Sequence, residues 1–382
     1  MIGVPLDELE IRGAVRVEHT ERGLLPRRAT QEAFRRIPDR FMRASVGQSA
    51  GIRLAFRTAA DRIELAVSAM KMTESAHAPM PAAAYELCAD GAVVASATSS
   101  VGPLFLFSFE SALDGIVDGP DDLLVFEGVG GVERDYELWL PYSDEVELLG
   151  FAADAPVLPP SRRPSVRWLH HGSSISHGYI ASTTTHTWPV IVANRVGVDL
   201  TSVAYSGNAL LDQLTARTIR DTPADVISVK LGINVVNGDH MRRRVFRSAV
   251  HGFLDTIRDG HPDTPLLVVS PIHCAPVEDA PGPTIAEPGR DPIWVVTAGR
   301  PEELAAGKLS LGVIREELAE IVADRRIEDP ALHYLDGSRL YGAADAGRLP
   351  LPDNLHPGDD VNALIADRFA TLAFGPSAPF PL

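Results

Sequence analysis

Hydrophobic and polar residues follow two different patterns along the chain. From about residue 49 to residue 152 they alternate with a period of two, as in residues 52–57 and 62–67, and turn residues such as Asp90-Gly91 separate the runs. Many short strands at this spacing are typical of an antiparallel sandwich or jelly roll. Residues 1–48 show no sustained period and are expected to be irregular.

The second pattern begins after residues 156–164, which contain four prolines and are expected to link two domains. Strand-length apolar runs then alternate with helix-length segments, which predicts a parallel, doubly wound sheet. The sequence therefore predicts a β-sandwich domain over residues 1–155 and an α/β domain over residues 165–382. The predicted strands cover residues 166–170, 199–204, 226–231, 265–270 and 333–336, and the predicted helices cover residues 188–196, 210–220, 242–258, 302–325 and 361–374.

Charge and composition exclude several classes of function. The net charge of −16, from 51 acidic against 35 basic residues, opposes binding to nucleic acid or to an anionic membrane surface. No apolar run approaches the roughly 18 residues of a membrane span, and the N-terminus lacks the pattern of a secretory signal, so a cytoplasmic location is expected. Cys88 and Cys274 fall in different predicted domains and are expected to be reduced thiols. The four histidines between residues 170 and 186 have no carboxylates at ligand spacing beside them, so no metal site is expected.

Polar residues with catalytic potential occur at four places in the predicted α/β domain. Residues 172–174, 206–207 and 232–234 follow the first three predicted strands, and residues 353–356 lie between the fifth strand and the last helix. The carboxyl ends of parallel strands share one edge of a sheet, where ligands of such folds bind. Groups far apart in the sequence can therefore meet there.

The chemistry of these residues suggests a role for each. The hydroxyl of Ser174 is a weak nucleophile until an imidazole takes its proton, and His356 can do so. Asp353 lies three residues before His356 and can fix the imidazole tautomer. The backbone amides of Ser174 and Gly207 and the side-chain amide of Asn234 are candidate donors to an oxyanion.

In this order, the four segments resemble the conserved blocks of the SGNH (GDSL) hydrolase superfamily. The resemblance covers roughly residues 165–374 and implies a flavodoxin-like three-layer α/β/α fold, a Ser-His-Asp triad, a Gly and an Asn in the oxyanion hole, and no metal or cofactor. The alternating region also resembles the β-sandwich that precedes the catalytic domain in carbohydrate-esterase-like members. The segments that carry the resemblance are Gly172-Ser173-Ser174-Ile175, Ser206-Gly207, Gly232-Ile233-Asn234 and Asp353-x-x-His356-Pro357.

The chain departs from the pattern of the superfamily at two positions. Ser173 and Val235 each stand where the family commonly has Asp. Because Ser173, Ser174 and Ser176 are neighbours, more than one hydroxyl is available as the nucleophile. The register favours Ser174, two residues after Gly172.

The resemblance implies serine acyl transfer through an acyl-enzyme. The two-domain layout and the sequence around Ser174 are similar to acyltransferases that move a salicylyl group in tetracycline biosynthesis. An O-acyltransferase that carries an aromatic acyl group from a thioester, such as a CoA conjugate, to a hydroxyl of a polyketide or sugar-like acceptor is therefore expected. The alternatives are an esterase of carbohydrate or other small esters, and a non-catalytic protein that binds a carbohydrate or metabolite.

Two further residues are expected to contact the substrate. His177 lies close to the predicted nucleophile and is expected at the entrance of the pocket. Trp294 lies in the Pro- and Gly-rich segment 272–300, which follows the fourth predicted strand. A loop of that length in a compact domain is usually functional.

Overall fold

A computed structural model describes residues 1–73, 82–107 and 114–380. The chain forms two compact units. One unit comprises Met1–Ser165 with the short segments Thr183–Thr185 and Asp199–Ser202, and the other comprises Val166–Ser182, His186–Val198 and Val203–Leu382.

Two β-sheets make up most of the N-terminal unit. One has the strand order β10-β9-β6-β13-β4-β3, with β1 paired to β13 and β11 to β6, and the other has the order β14-β5-β12-β7-β8, with β2 paired to β5. The strand pairs are antiparallel except for β6 and β9. The elements are β1 (Ile2–Val4), β2 (Glu10–Arg12), β3 (Arg16–His19), β4 (Leu24–Arg27), α1 (Gln31–Arg35), α2 (Arg40–Gly47), β5 (Arg53–Thr58), β6 (Arg62–Thr73), β7 (Ala83–Ala89), β8 (Ala92–Ser99), β9 (Leu104–Phe107), β10 (Asp114–Val117), β11 (Asp122–Glu127), β12 (Arg134–Trp139), β13 (Asp144–Ala153) and β14 (Val157–Leu158).

The hydrophobic core of this unit lies between the two sheets. Every second residue at the start of β6 is buried, namely Ile63, Leu65 and Val67, as the period of two predicts. Phe56 of β5 meets Phe151 of β13 edge to face, with 5.1 Å between ring centroids, so residues of both sheets share the core. Burying each such side chain contributes about 1.5–3 kcal/mol. The predicted antiparallel sandwich is thereby confirmed.

The first 48 residues are more regular than the sequence suggested. They contain four strands, two α-helices and one 3₁₀ turn, and β1, β2 and β4 pair with strands of the sandwich. The prediction of an irregular segment is therefore wrong. These strands have only three or four residues, too few for an alternating pattern to emerge. The Pro-rich residues 156–164 include β14, which pairs with β5.

A five-stranded sheet runs through the C-terminal half of the chain. Its order is β16-β15-β17-β18-β21, and the pairs β15–β17, β17–β18 and β18–β21 are parallel. Helices alternate with these strands, which confirms the predicted α/β fold. The elements are β15 (Arg167–His171), α3 (Ser174–His177), α4 (Trp188–Val196), β16 (Asp199–Ser202), α5 (Gln213–Asp221), β17 (Val226–Lys230), α6 (Ile233–Asn237), α7 (Arg243–Arg258), β18 (Leu266–Val269), β19 (Thr284–Ala286), β20 (Val295–Thr297), α8 (Leu311–Arg325), β21 (Leu332–Leu335), α9 (Ala343–Ala346) and α10 (Asp359–Phe374).

One helix predicted from the sequence is divided in the structure. The predicted segment 302–325 consists of a 3₁₀ turn over Pro301–Ala306, followed by α8. Gly307 ends the turn with a left-handed backbone (φ +82°), and the Ser310 hydroxyl caps α8 by accepting a hydrogen bond from the Val313 amide.

Among the described residues, no helix combines the length and the apolar character needed to cross a membrane. The cytoplasmic location stays a prediction.

A buried ion pair joins two strands of the larger sheet. Lys71 of β6 and Asp144 of β13 face each other in the strand register, and their side chains are 1% and 3% exposed. Burial raises the pKa of the Asp144 carboxyl, and this effect exceeds the opposing effects of Lys71 and of the Ser143 hydroxyl.

Removal of one member of this pair is predicted to be more harmful than removal of both. We expect Lys71→Met to lower the free energy of unfolding by about 3–5 kcal/mol, because Asp144 would be buried without its cationic partner. The double variant Lys71→Met/Asp144→Leu is expected to lose less. Urea unfolding of the full chain, followed by circular dichroism, measures both values. A double variant that is less stable than the single variant would contradict the prediction.

Candidate active site

Ser174 lies directly beyond the carboxyl end of β15, at the first position of α3. Gly172 permits the sharp turn between strand and helix, because a Cβ atom at this position would overlap Ser176. The Ser173 hydroxyl caps the helix by accepting a hydrogen bond from the Ile175 amide (3.4 Å). The turn therefore presents the Ser174 side chain, which is 9% exposed, at the edge of the parallel sheet.

Two hydrogen bonds connect Ser174 to a histidine and an aspartate that lie far away in the sequence. Ser174 Oγ is 2.9 Å from His356 Nε2, across 182 positions of the chain. His356 Nδ1 is 2.6 Å from Asp353 Oδ2. The three residues that the sequence predicted as nucleophile, base and acid are therefore brought together in hydrogen-bonding order.

The Asp353 carboxylate also organises the backbone around it. Its Oδ1 accepts hydrogen bonds from the amides of Leu355 (2.9 Å) and His356 (2.7 Å). Burial raises the pKa of this carboxyl, but the hydrogen bonds from His356 and Leu355 and the charge of His356 outweigh burial and hold the pKa below its usual value. Asp353 is thus ionised at neutral pH. Its Oδ2 accepts the Nδ1 proton of His356, which leaves Nε2 free to accept the Ser174 hydroxyl.

The turn that contains Gly207 is joined to the nucleophile segment by two hydrogen bonds. The Tyr205 amide donates to the Gly172 carbonyl (2.9 Å), and the Ser206 amide donates to His177 Nδ1 (3.2 Å). Gly207 has a left-handed backbone (φ +71°), which favours glycine. Its amide, like that of Ser174, donates to no other residue in the part of the chain that the structure describes.

Asn234 is connected to the same turn through its side chain. Its Oδ1 accepts a hydrogen bond from the Ala209 amide (3.0 Å), two residues after Gly207. This bond fixes the orientation of the carboxamide and leaves Nδ2 as a donor, which has no acceptor among the described residues. The third predicted oxyanion donor therefore belongs to the same hydrogen-bonded network as the other two.

The neighbours of Ser174 and Asn234 explain the two departures from the family pattern. The Ser173 hydroxyl caps α3, and the Ser176 hydroxyl is buried with no hydrogen-bond partner among the described residues. Ser174 is therefore the serine of this segment that contacts His356. Val235 is 1% exposed, so an apolar side chain fills the position where the family commonly has Asp.

A hairpin clamps the loop that carries Asp353. The hairpin consists of β19 and β20, within the long segment expected to be functional. The Val295 amide donates to the Asp353 carbonyl (2.8 Å), and Asn354 Nδ2 donates to the Val295 carbonyl (2.9 Å). Cys274 Sγ also donates a hydrogen bond to the Asn354 carbonyl (3.4 Å). The sequence did not predict this clamp, because the backbone contacts of Val295 require no particular residue type at that position.

The two residues predicted to contact substrate lie in different environments. His177 is 2% exposed and holds the Ser206 amide, so its position differs from the predicted pocket entrance. Trp294 is partly exposed in the hairpin, and the Arg290 guanidinium lies 4.2 Å from the centroid of its ring. A substrate contact by either residue stays a prediction.

Tyr179 is a further neighbour of the site that the sequence did not predict, and its ring centroid lies 4.6 Å from that of His356. The side chain of Tyr179 is 50% exposed. The available sequence signal was an aromatic residue five positions after the nucleophile, which is too common to be interpreted alone.

Two histidines of β15 are part of the buried sheet. His170 Nδ1 lies 2.7 Å from Ser228 Oγ, and His171 Nδ1 lies 2.7 Å from the Val203 carbonyl oxygen. Burial lowers the pKa of both imidazoles, that of His171 to about 4, so both are neutral at pH 7.

Within residues 1–73, 82–107 and 114–380, no group of three or more His, Cys, Asp or Glu side chains could hold a metal ion. The expectation that no metal or cofactor is needed stays a prediction.

The low pKa of Asp353 predicts a pH dependence of stability. A carboxyl whose pKa is lowered by folding stabilises the protein above its unfolded-state pKa and loses that effect as the pH falls through its folded-state pKa. We expect wild type to melt at a higher temperature than Asp353→Asn at pH 7, and the difference to shrink below about pH 4. Thermal unfolding across this range measures it. The exposed Asp360→Asn is the control, and a difference that does not change with pH would refute the assignment.

Comparison with known proteins agrees with this geometry. Residues 167–276 match the family model of the GDSL-like Lipase/Acylhydrolase family. These residues include Ser174, Gly207 and Asn234. No curated protein is significantly similar to the chain in sequence.

Solved structures resemble the chain over almost its whole length. The salicylyl-acyltransferase SsfX3 from a tetracycline biosynthetic pathway is 26% identical, with 98% of this chain and 96% of that one covered and a TM-score of 0.75. A putative GDSL-like lipase from Bacteroides ovatus is 17% identical (96% and 95% covered, TM-score 0.66). A family two carbohydrate esterase from Clostridium thermocellum, solved with cellohexaose, is 12% identical (95% and 97% covered, TM-score 0.60).

The likeness to the lipase and to the carbohydrate esterase concerns the fold, whereas the likeness to the salicylyl-acyltransferase extends to the sequence. Together with the family match, they confirm the resemblance to the SGNH (GDSL) superfamily that the four sequence blocks indicated. The chain is an enzyme, and its residues 167–276 match the model of the GDSL-like Lipase/Acylhydrolase family.

Proposed function

We propose that the enzyme transfers acyl groups through a covalent intermediate on Ser174. The observation that carries this proposal is the continuous chain of hydrogen bonds from Ser174 Oγ through His356 to Asp353. Distances of 2.9 and 2.6 Å lie within the range needed for proton transfer between a nucleophile, its base and the group that orients the base.

Acylation of the enzyme follows from this geometry. The Ser174 hydroxyl gives its proton to His356 Nε2 while its oxygen attacks the carbonyl carbon of the donor. The ionised Asp353 stabilises the imidazolium that forms. Collapse of the tetrahedral intermediate breaks the bond to the leaving group, a thiol if the donor is a thioester such as a CoA conjugate. His356 returns the proton to that group, and the acyl-serine remains.

The developing negative charge needs preorganised donors. We assign this role to the amides of Ser174 and Gly207 and to Nδ2 of Asn234. Their hydrogen-bonding capacity is not used by other described residues, and the bond from Ala209 to Asn234 Oδ1 holds the side-chain amide in place. Fixed donors of this kind stabilise a transition state because they need no reorganisation during the reaction.

The acceptor decides whether the enzyme is a transferase or an esterase. A hydroxyl acceptor or a water molecule gives its proton to His356 and attacks the acyl-serine, and Ser174 recovers its proton as it leaves. The 26% identity to a salicylyl-acyltransferase over nearly the full length supports transfer of an aromatic acyl group to a polyketide or sugar-like hydroxyl, as in antibiotic biosynthesis. The fold likeness to a carbohydrate esterase supports hydrolysis of carbohydrate or other small esters as the second candidate.

Loss of one oxyanion donor is predicted to slow the chemical step. Asn234→Ala should lower kcat by about 100- to 1,000-fold with a smaller change in KM, because the donor acts mainly on the transition state. Steady-state kinetics with an activated aryl ester measure both constants. Removal of the side chain also frees the Ala209 amide, so thermal melting serves as the control for folding. A rise in KM at constant kcat would refute the oxyanion role.

Covalent labelling tests the proposed function directly. Brief mixing with a salicylyl thioester should add one acyl mass to wild type and none to Ser174→Ala, as read by intact-mass spectrometry. Ser176→Ala is the matched control, because Ser176 is also buried in α3 but its hydroxyl has no hydrogen-bond partner among the described residues, so this variant should still be acylated. His356→Ala should lose nearly all acylation, and the loss should not add to that of Ser174→Ala, because the two residues act as a unit.

The fate of the acyl group separates the candidate functions. Faster loss of the adduct with a polyhydroxylated acceptor such as cellobiose, with the acyl group recovered on the acceptor, indicates a transferase. Loss at the same rate with and without the acceptor indicates an esterase. No adduct with several donors, while Ser174→Ala still binds ligand as well as wild type, would overturn the proposal in favour of a non-catalytic carbohydrate- or metabolite-binding protein.

A further inference from the structure

Tyr179 is an exposed aromatic residue in contact with the proposed catalytic base. Its ring meets that of His356 at an angle of 64°, with 4.6 Å between the ring centroids. Half of the side chain is exposed, in a neighbourhood where Ser174 and His356 are each only 9% exposed. The Tyr179 ring therefore borders the imidazole and still offers surface to a molecule arriving from solvent.

The backbone around Tyr179 is held in an unusual conformation. Gly178 and Ile180, on either side, both have positive φ angles, of +114° and +73°. A β-branched residue rarely adopts a left-handed backbone, and such strain persists only where the surrounding structure imposes it. Strained residues of this kind cluster at functional sites.

Hydrogen bonds hold the strained segment on both sides of Tyr179. The Tyr179 amide donates to the Ser174 carbonyl (3.1 Å), and the Ser182 amide donates to Asp359 Oδ1 (2.9 Å). The segment is thus fixed to the nucleophile helix α3 at one end and to the first residue of α10 at the other. The position of Tyr179 against His356 is set by these contacts.

The chemistry of acyl transfer indicates which part of the substrate Tyr179 would meet. In the proposed acyl-enzyme, the carbonyl oxygen of the acyl group would face the oxyanion donors assigned above, which include Gly207 and Asn234. The leaving group and the incoming alcohol instead lie beside His356, because that imidazole exchanges a proton with each of them. A side chain that touches the His356 ring therefore borders the path of the acceptor.

We propose that Tyr179 is a binding platform for the acceptor and that the acceptor is a ring-shaped alcohol. The apolar face of the acceptor ring would pack against Tyr179, while a hydroxyl group of the acceptor reaches His356 Nε2. The acceptor then competes with water because it is held next to the base, as expected when binding orients a reacting group. This inference rests on the proposed function. It makes Tyr179 a determinant of acceptor specificity and of the ratio of transfer to hydrolysis.

The partition of a preformed acyl-enzyme tests this inference. The full-length enzyme is acylated with an aryl thioester, and the acyl group is then divided between water and one of three acceptors: methyl β-D-glucopyranoside, 1-tetralol or methanol. In Tyr179→Ala the ratio of transfer to hydrolysis with a ring acceptor should fall about 3- to 10-fold, the range expected for loss of an aromatic contact. Tyr179→Phe should retain the wild-type ratio, because the ring remains.

Methanol and the acylation rate are the internal controls. Methanol is too small to pack on the ring, so its transfer ratio should be the same in wild type and Tyr179→Ala. The rate of acylation should also be the same when the leaving group of the donor is as small as methanethiol, because such a group does not reach the ring either. A preference confined to the pyranoside or to the tetralol identifies the acceptor as a sugar or a carbocycle. Either preference supports the inference.

Three outcomes would contradict the proposed function or the role of Tyr179. Failure of wild type to form an acyl-enzyme overturns the proposed function itself. An acyl-enzyme whose ratio with ring acceptors is low in wild type, or unchanged in Tyr179→Ala, overturns the role of Tyr179. An equal fall with methanol, or a parallel loss of acylation, means that Tyr179 acts by positioning His356 and also overturns the platform.

Discussion

Three N–H groups donate to a single carboxylate, and the proposed active site depends on that arrangement. One oxygen of Asp353 accepts hydrogen bonds from the amides of Leu355 and His356, and the other accepts one from the imidazole of His356. The first two bonds shape the loop, and the third selects the tautomer of the ring. Without a charged Asp353, His356 would have neither a defined orientation nor a free Nε2 for Ser174. One ionised group therefore fixes both the backbone and the proton positions.

The parallel sheet supplies the other half of this arrangement. Residues 172–174, 205–209 and 232–234 follow β15, β16 and β17, and hydrogen bonds join these segments to one another. Because each segment begins where a strand ends, its position is inherited from a buried and tightly packed element. The histidines beneath, His170 and His171, are neutral at pH 7, so they add no charge to the sheet. The same sheet also contains Lys230 of β17, and burial lowers the pKa of its ammonium group to about 7.

The sequence was most informative where function requires a particular residue type. Ser174, Asp353 and His356 could be predicted because few side chains perform their chemistry and because strand ends share an edge. It was least informative where geometry depends on the backbone alone, as in the clamp at Val295, or on short strands such as those before residue 48. The division of the predicted helix 302–325 has the same origin. The helical pattern of the sequence continues through Gly307, but the backbone breaks the helix there.

The clamp between the β19–β20 hairpin and Asp353 has a consequence for how this enzyme could diversify. A loop that surrounds an active site can usually be lengthened, shortened or exchanged while the catalytic groups stay in place. Here two hydrogen bonds join the hairpin to the loop that carries Asp353, one from the Val295 amide to the Asp353 carbonyl and one from Asn354 Nδ2 to the Val295 carbonyl. An insertion in either segment would therefore displace the other. The hairpin and the loop of Asp353 therefore form one structural unit. Selection for a new substrate would have to change both together, and a chimera would need both from the same parent.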